Sequence, residues 1–277
     1  MNTCTMNTAS LLPHQPFLSL WTNRTLVARL VVRDIQNRYR GTMLGLAWAL
    51  GVPLATVAVY LIVFVHVLSV QWNGGNGPTG EYALILFASV IVFNFFAECL
   101  NRAPGLILED TSYIKKVVFP LEILPWVSIF VALFHSLLSA CILLACYLAL
   151  LGPPPLSALA APMACLPLVL FTLGLSWLFS ALGVYLRDLR PLVNVATTFM
   201  LFLSPVFYPL SAVKGLGRTL FCLNPLTQVL EDVRGGLFWG IMPDVPMFLT
   251  ALAGSAVVAW LGFCWFMKTR QGFADVV

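Results

Sequence analysis

The chain has 277 residues, of which 60% are hydrophobic and 9% are charged, and its formal net charge is +4. A soluble domain carries about 25% charged residues, so this composition excludes a water-soluble globular protein. The high apolar content also excludes a disordered chain. The apolar runs are continuous and long, unlike the short alternating segments of a transmembrane β-barrel. The composition therefore predicts an all-α, polytopic membrane protein.

The N-terminal region divides into a polar tail and a basic amphipathic segment. Residues 1–16 are polar and support no assignment. Residues 17–44 fit a helix with Leu26, Leu30 and Trp21 on one face and arginines on the other. Such a helix is expected to lie in the cytoplasmic interface of the membrane. It could serve as an anchor on anionic lipid, or its guanidinium groups could capture a phosphate-bearing lipid substrate.

Six apolar runs follow, each of a length that suits one membrane crossing. They are residues 46–70, 82–100, 124–151, 159–185, 192–210 and 247–267. Together they predict a six-span domain over residues 45–270 with a short tail at 271–277. Pro205 and Pro209 interrupt the fifth run. The connection 211–246 contains apolar stretches too short to span, and this pattern predicts an outer re-entrant segment between the fifth and sixth helices.

The basic residues indicate the orientation of these spans. With the N-terminus in the cytoplasm, twelve of the fifteen Lys and Arg residues lie on the cytoplasmic side. The outer loops at 71–81 and 152–158 contain neither. This asymmetry follows the positive-inside rule, so we expect both termini to be cytoplasmic.

The sequence lacks the motifs of an independent enzyme or metal protein. It has no phosphate-binding loop of the form GxxxxGK[ST], and its Cys and His residues do not show metal-ligand spacing. We therefore expect a transport subunit without catalytic residues, metal or cofactor of its own. Glu98 is predicted to pair with Arg102 one helical turn later. His135, inside the third run, is predicted to be a neutral, hydrogen-bonded packing histidine.

Five segments in order resemble the permease subunits of type-2 ATP-binding-cassette (ABC-2) polysaccharide exporters. They are RDIQNRYRGTMLGLAWALGVPL with VYLIVF (33–54 and 59–64), YIKKVVFPLEILP (113–125), YLRDLRPLV (185–193), SPVFYPL (204–210) and NPLTQVLEDVRGGLF (224–238). The O-antigen exporters are the most similar branch, and the capsule and teichoic-acid exporters come next. The resemblance covers almost the whole chain except residues 1–16.

The resemblance implies a mechanism shared between subunits. In this family two six-span permeases form a homodimer with the channel at its interface, and two separate nucleotide-binding subunits hold ATP and Mg²⁺. The complex exports a lipid-linked polysaccharide across the bacterial inner membrane. Nucleic acid is not an expected partner. The loop 101–118 would receive the force of ATP hydrolysis, although a solvated connector is the alternative. Its expected docking residues are Glu109, Asp110, Tyr113, Lys115 and Lys116.

Two further sets of residues are expected to meet the substrate. Arg33, Arg38, Tyr39 and Arg40 form the predicted entrance for the lipid pyrophosphate, because positive charge is dense just before the first span. Arg187, Asp188 and Arg190 could contribute there or pair at helix ends. Aromatic faces suit sugar rings, so the predicted channel lining is Tyr60, Phe64, Phe199, Phe202, Phe207 and Tyr208. Ordinary lipid-facing or packing aromatics are the alternative.

Two rival functions stay open from the sequence. One is a permease of the same fold that moves a small lipid or drug. The other is a passive channel or scaffold, which would have no ATPase partner at the 101–118 loop.

Overall fold

A computed structural model describes residues 14–43, 45–67, 80–109, 119–186, 188–213 and 224–273, together with 215, 218 and 221. This part of the chain is helical and contains no strand, in agreement with the predicted all-α class. Its main helices are α1 (Gln15–Thr22), α2 (Arg24–Tyr39), α3 (Trp48–Tyr60), α4 (Glu81–Arg102), α5 (Leu124–Leu150), α6 (Leu166–Tyr185), α7 (Leu189–Phe202), α8 (Pro225–Arg234) and α9 (Val245–Thr269).

Four helical stretches in the described ranges are long and apolar enough to cross a membrane. They are Glu81–Gly105, Leu121–Leu150, Leu156–Tyr185 and Val245–Gly272, and they coincide with the second, third, fourth and sixth predicted spans. The helices at the first and fifth predicted positions are shorter. A π-helix, Leu61–Val67, extends α3, and α7 ends at Phe202, just before Pro205. The six-span count stays a prediction, because these two helices alone do not establish it.

The N-terminal segment forms two helices instead of the single predicted helix over 17–44. The chain breaks at Asn23, whose side-chain amide donates to the Ser19 carbonyl at 2.9 Å. This local bond competes with helix continuation, as asparagine side chains often do. Trp21 is 70% exposed and lies under the Arg24 guanidinium, so it is not on the buried face with Leu30. The location of α1 and α2 at a membrane interface remains a prediction.

Helix α4 forms the centre of the bundle. It contacts α3, α5, α6, α7 and α8, and fourteen of its 22 residues are buried. Apolar character alone does not explain this position, because α5 is at least as apolar and is much less buried; the five neighbouring helices account for it. The remaining helices are arranged around it, and α6 packs most extensively against α9.

The contact between α6 and α9 depends on two glycines. A Cβ atom on Gly262 would lie 2.1 Å from the carbonyl oxygen of Gly174, and a Cβ on Gly174 would lie 2.6 Å from the Val258 carbonyl oxygen. Both distances are far below van der Waals contact. Glycine is therefore required at this crossing, in the manner of other small-residue contacts between membrane helices.

Glu122, just before α5, joins both ends of the described chain. Its carboxylate accepts hydrogen bonds from Arg270 after α9 at 2.7 Å and from Ser19 in α1 at 3.3 Å. Its backbone carbonyl accepts from the Trp177 indole at 3.0 Å. Helix α1 and the segment after α9 therefore lie at the same end of the bundle.

Candidate functional site

Four arginines line one cavity of about 650 Å³ at the end of the bundle where α2 crosses the last turn of α4. They are Arg33, Arg38, Arg102 and Arg190, and the same cavity holds the carboxylates of Asp34 and Glu109. Because Arg38 also pairs with Glu98 of α4, outside the lining, this group of charges has an excess of one positive charge. Guanidinium groups bind phosphate in a bidentate manner, so the cavity has the chemistry of a phosphate site. We call this end of the molecule the basic end.

Ion pairs connect the walls of the arginine cavity. Arg102, at the end of α4, binds Asp34 of α2 at 2.5 Å and lies 3.8 Å from Glu109. Glu109 also accepts from Arg190 at the start of α7, at 3.5 Å. The Arg190–Glu109 pair is half exposed, so it adds at most about 1 kcal/mol to stability. The effect of the chain of pairs is geometric, because it links α2, α4 and α7 through the segment that follows α4.

The beginning of the loop 101–118 also packs directly against the backbone of α6. Residues Ala103–Gly105 form a 3₁₀ turn, and a Cβ on Gly183 of α6 would lie 2.1 Å from the Pro104 carbonyl oxygen. The described part of the 101–118 loop is therefore in contact with α6 as well as with Arg190. The predicted docking residues Asp110, Tyr113, Lys115 and Lys116 lie outside the described residues and stay predictions.

A second polar cluster forms around Glu98 on α4. Its carboxylate accepts hydrogen bonds from Arg38 of α2 and from His135 Nδ1 of α5, the latter at 2.9 Å. The predicted pair between Glu98 and Arg102 is therefore wrong. Glu98 pairs with Arg38 of α2, and Arg102 pairs with Asp34 of α2. These tertiary contacts replace the weak pairing within the helix.

Tyr39 completes this cluster. Its hydroxyl lies 3.1 Å from Nε2 of His135. Burial raises the pKa of the Tyr39 phenol, an effect that Arg38 opposes and Glu98 reinforces. The phenol is therefore a donor at neutral pH, and the network fits a His135 that accepts at Nε2 and donates from Nδ1 to Glu98.

The predicted entrance residues thus separate into two groups. Arg33 and Arg38 line the arginine cavity together with Arg190, whereas Tyr39 turns toward His135. Arg40 is exposed beyond the end of α2, and Arg187 lies outside the described residues. Arg102 was not predicted to belong to this group. Its position at the end of a long apolar helix was the available signal, since basic residues gather at membrane interfaces.

The predicted channel aromatics lie toward the opposite end of the bundle. Tyr60 and Phe64 contact each other with ring centroids 6.1 Å apart, and Phe64 lies 5.2 Å from Tyr82. The Tyr82 hydroxyl donates to the Phe207 carbonyl at 2.9 Å. Tyr82, which the sequence analysis missed, therefore joins the aromatic residues after α3 to those after α7.

The remaining predicted aromatics follow α7 and its break. Phe202 and Phe207 have ring centroids 6.5 Å apart, and the Tyr208 hydroxyl donates to the Phe202 carbonyl at 2.7 Å. Phe199 and Phe202 are 63% and 62% exposed. With Leu192 and Val195 they form an exposed apolar stripe at helical spacing along α7. The role of these aromatics as a channel lining remains a prediction.

Arg234 fixes the broken end of α7. Its side chain is fully buried, and Nε donates to the Ser89 hydroxyl of α4 at 2.7 Å. Its Nη2 donates to the carbonyls of Pro205 and Val206 at 2.5 and 2.8 Å, while Nη1 lies 3.3 Å from Glu231. One guanidinium thus pairs backbone groups that the proline break leaves without helical partners. The segment 211–246 accordingly returns to the bundle through α8; its depth in a membrane stays a prediction.

Comparisons with known proteins agree with this architecture. The ABC-2 type transporter family matches residues 25–238. An O-antigen export system permease protein of Myxococcus xanthus is 26% identical over 93% of this chain and 97% of its own length. One from Klebsiella pneumoniae is 24% identical over 88% of this chain and 92% of its own length.

A less similar relative is also named for polysaccharide transport. The polysialic acid transport protein KpsM of Escherichia coli is 19% identical over 80% of this chain and 84% of its own length. The relatives are permeases, and the apolar helices of this chain are those of a multi-pass membrane protein. Because the family match covers most of the residues from α2 to the end of α8, the chain belongs to the ABC-2 type transporter family.

Proposed function

We propose that this chain is the permease subunit of an ABC transporter that exports lipid-linked polysaccharide of O-antigen type across the bacterial inner membrane. The observation that carries the proposal is the similarity to O-antigen export permeases over nearly the whole of both chains. The arginine cavity adds the chemistry that such a substrate needs, because a lipid pyrophosphate requires dense positive charge at its point of capture. In this role the chain is not itself an enzyme.

The proposed topology has six spans, with both termini and the basic end in the cytoplasm. The two short helices α3 and α7 leave apolar side chains exposed, among them Val52, Val59 and Phe199. A single chain of this size does not enclose a path wide enough for a polysaccharide. We therefore propose a homodimer in which α3 and α7 face the second copy, with the aromatic residues along the channel and the 211–246 segment near its exit.

The energy for export would come from two nucleotide-binding subunits that hold ATP and Mg²⁺. They would dock on the loop 101–118, which begins at the ion-paired turn after α4. Motion of that loop would reach α7 through Glu109 and Arg190, and α2 through Arg102 and Asp34. The same contacts surround the arginine cavity, so docking and substrate capture would be mechanically linked.

Two measurements test this proposal directly. The intact membrane complex, isolated through a tag on this chain, is expected to contain an ABC ATPase. Deleting the chain in its host is expected to abolish long-chain surface glycan. Absence of an ATPase would favour a passive channel or scaffold, whereas an ATPase with unchanged surface glycan would favour export of a small lipid or drug. Loss of a capsule-type polymer instead of O-antigen would favour export of a capsule polysaccharide, as the name of the polysialic acid transport protein suggests for that relative.

We predict that replacing Arg33 and Arg38 together by alanine lowers polysaccharide export at least about tenfold, since each removes a charge-assisted contact to phosphate. If Arg40 also belongs to the entrance for the lipid pyrophosphate, replacing it as well should lower polysaccharide export further. The readout is surface glycan at matched expression, with the ATPase still bound. Arg29→Ala provides the control, because Arg29 is exposed on the same helix α2 but does not line the cavity. Export that persists in the Arg33/Arg38 double variant would contradict the assignment.

A further inference from the structure

A second cavity, of about 400 Å³, separates α3 from the pair α4 and α5. It adjoins the Glu98 cluster but lies on the other side of Arg38 from the arginine cavity. Its lining comes from one face of each of these helices, between residues 48 and 56 of α3 and residues 87 and 98 of α4, and from His135, Ser136 and Ser139 of α5. A cleft therefore remains between the first half of α3 and the pair α4 and α5, near the basic end.

The cleft is polar at one end and apolar along its walls. Arg38, Tyr39, Glu98 and His135 form the polar end. The walls consist of apolar side chains, including Val52, Phe87, Val90, Ile91 and Phe95. Val52 is 59% exposed and Trp48 is 45% exposed, so the α3 side of the cleft is open to the surroundings of the bundle. This separation of polar and apolar surface matches an amphiphilic molecule.

Two polar groups in the cleft also lack partners. Among the described residues, neither the Asn94 amide nor the Ser136 hydroxyl makes a hydrogen bond, although both line the cavity. Asn94 is near the middle of α4, and its side chain is exposed to the cleft. A polar group at such a position in a membrane helix is costly unless it is paired. These groups are therefore available to a ligand with hydrogen-bonding oxygens.

The charges at the polar end select among such ligands. Arg38 contributes a positive group and Glu98 a negative one, and the two are in contact. The Glu98 carboxylate disfavours a purely anionic headgroup, and Arg38 disfavours a purely cationic one. A headgroup with a phosphate and an ammonium ion complements both, with phosphate near Arg38 and the Tyr39 hydroxyl and ammonium near Glu98.

We propose that this cleft binds a phospholipid of the phosphatidylethanolamine class. The headgroup occupies the Arg38–Glu98 end, and the first part of one acyl chain lies along Val52, Phe87 and Ile91, while the rest of the lipid extends into the bilayer. The bound lipid fills the space behind α3 and so supports the position of that helix. The proposal requires only that the protein resides in a membrane, and its test does not depend on what the protein transports.

The experiment compares two photoreactive lipids on the full-length protein, reconstituted in nanodiscs of equal parts phosphatidylethanolamine and phosphatidylglycerol. Each probe carries a diazirine in its acyl chain, and labelled peptides are identified by mass spectrometry. We expect the phosphatidylethanolamine probe to label the peptides around Val52 and Ile91 at least about fivefold more than the phosphatidylglycerol probe, because only it satisfies both charges. Equal labelling, or stronger labelling by phosphatidylglycerol, would overturn the proposal.

Variants locate the binding in the cleft. Ser136→Phe fills the cavity and should reduce the labelling by phosphatidylethanolamine at least about fivefold, since a filled site excludes the ligand. Leu137→Phe is the matched control, because Leu137 is the next residue on α5, is 65% exposed and does not line the cleft. Glu98→Gln should abolish the preference between the two lipids. Undiminished labelling of a monodisperse Ser136→Phe protein would refute the site. If the Ser136→Phe variant does not fold, the comparison of the two lipid probes on the unmodified protein still tests the preference for phosphatidylethanolamine.

Discussion

Substituting Gly262 by alanine is expected to prevent the chain from folding into a stable bundle. The new methyl group would lie 2.1 Å from the carbonyl oxygen of Gly174, which is a backbone atom and cannot rotate away. Relief requires α9 to move away from α6, and that contact is the most extensive in the bundle. We expect a loss of about 3 kcal/mol or more, at the upper end of overpacking effects.

The measurement is the yield of monodisperse protein in mild detergent, together with the thermal midpoint of any soluble fraction. Gly254→Ala is the control, because it makes the same chemical change on the same helix. A Cβ on Gly254 meets no atom within 4 Å, so this variant should be as stable as the original chain or slightly more stable, given the higher helix propensity of alanine. Equal behaviour of the two variants would show that the crossing tolerates separation.

The positions of the long helices could be predicted from hydropathy, whereas this crossing could not. Helices α4, α5, α6 and α9 lie where the apolar runs place them, because each run must satisfy its own backbone hydrogen bonds in lipid. The partner of a packing glycine, in contrast, depends on which helices become neighbours. Gly174 and Gly262 are distant in sequence and are surrounded by ordinary apolar residues, so neither carries a local signal.

The same distinction applies to the charged residues. Their concentration near the N-terminal helices and the loop after α4 was predicted from composition and the distribution of Lys and Arg. Their pairing was not, because Glu98 and Arg102 fit a local pair within α4. The structure instead joins each of them to α2, through Arg38 and Asp34. A local pair on a helix surface adds only about 0.3–0.5 kcal/mol, so any closer tertiary partner displaces it.

These tertiary pairs give the proposed entrance its arrangement. Arg38 lies between the two cavities and lines both. Asp34 and Glu109 hold Arg102 and Arg190 at the wall of the arginine cavity. With Glu98 on Arg38, three carboxylates face four guanidinium groups, so one positive charge remains in excess and gives the cavity a net attraction for phosphate. This combination of excess charge and fixed geometry is what capture of a lipid pyrophosphate requires.

Replacing Arg234 by methionine is expected to destabilise the protein by about 3–5 kcal/mol, the usual cost of removing one partner of a buried charged network. Methionine fills similar space but leaves the Pro205 and Val206 carbonyls without their donors, and it removes the link to Ser89 of α4. For a chain of this size the loss corresponds to a fall of roughly 10 °C in the thermal midpoint. Export should fall with it, because the end of α7 is no longer fixed to α4.

A series of variants separates the charge of Arg234 from its geometry. Arg234→Lys keeps the positive charge but cannot reach all four acceptors, so an intermediate loss is expected. Ser89→Ala removes a single acceptor and should cost about 1 kcal/mol. Arg218→Met is the control, since Arg218 belongs to the same 211–246 segment and is exposed. A thermal midpoint of Arg234→Met equal to that of Arg218→Met would mean that the broken end of α7 is held by packing alone, because removing every hydrogen bond of the guanidinium would then have no effect on stability.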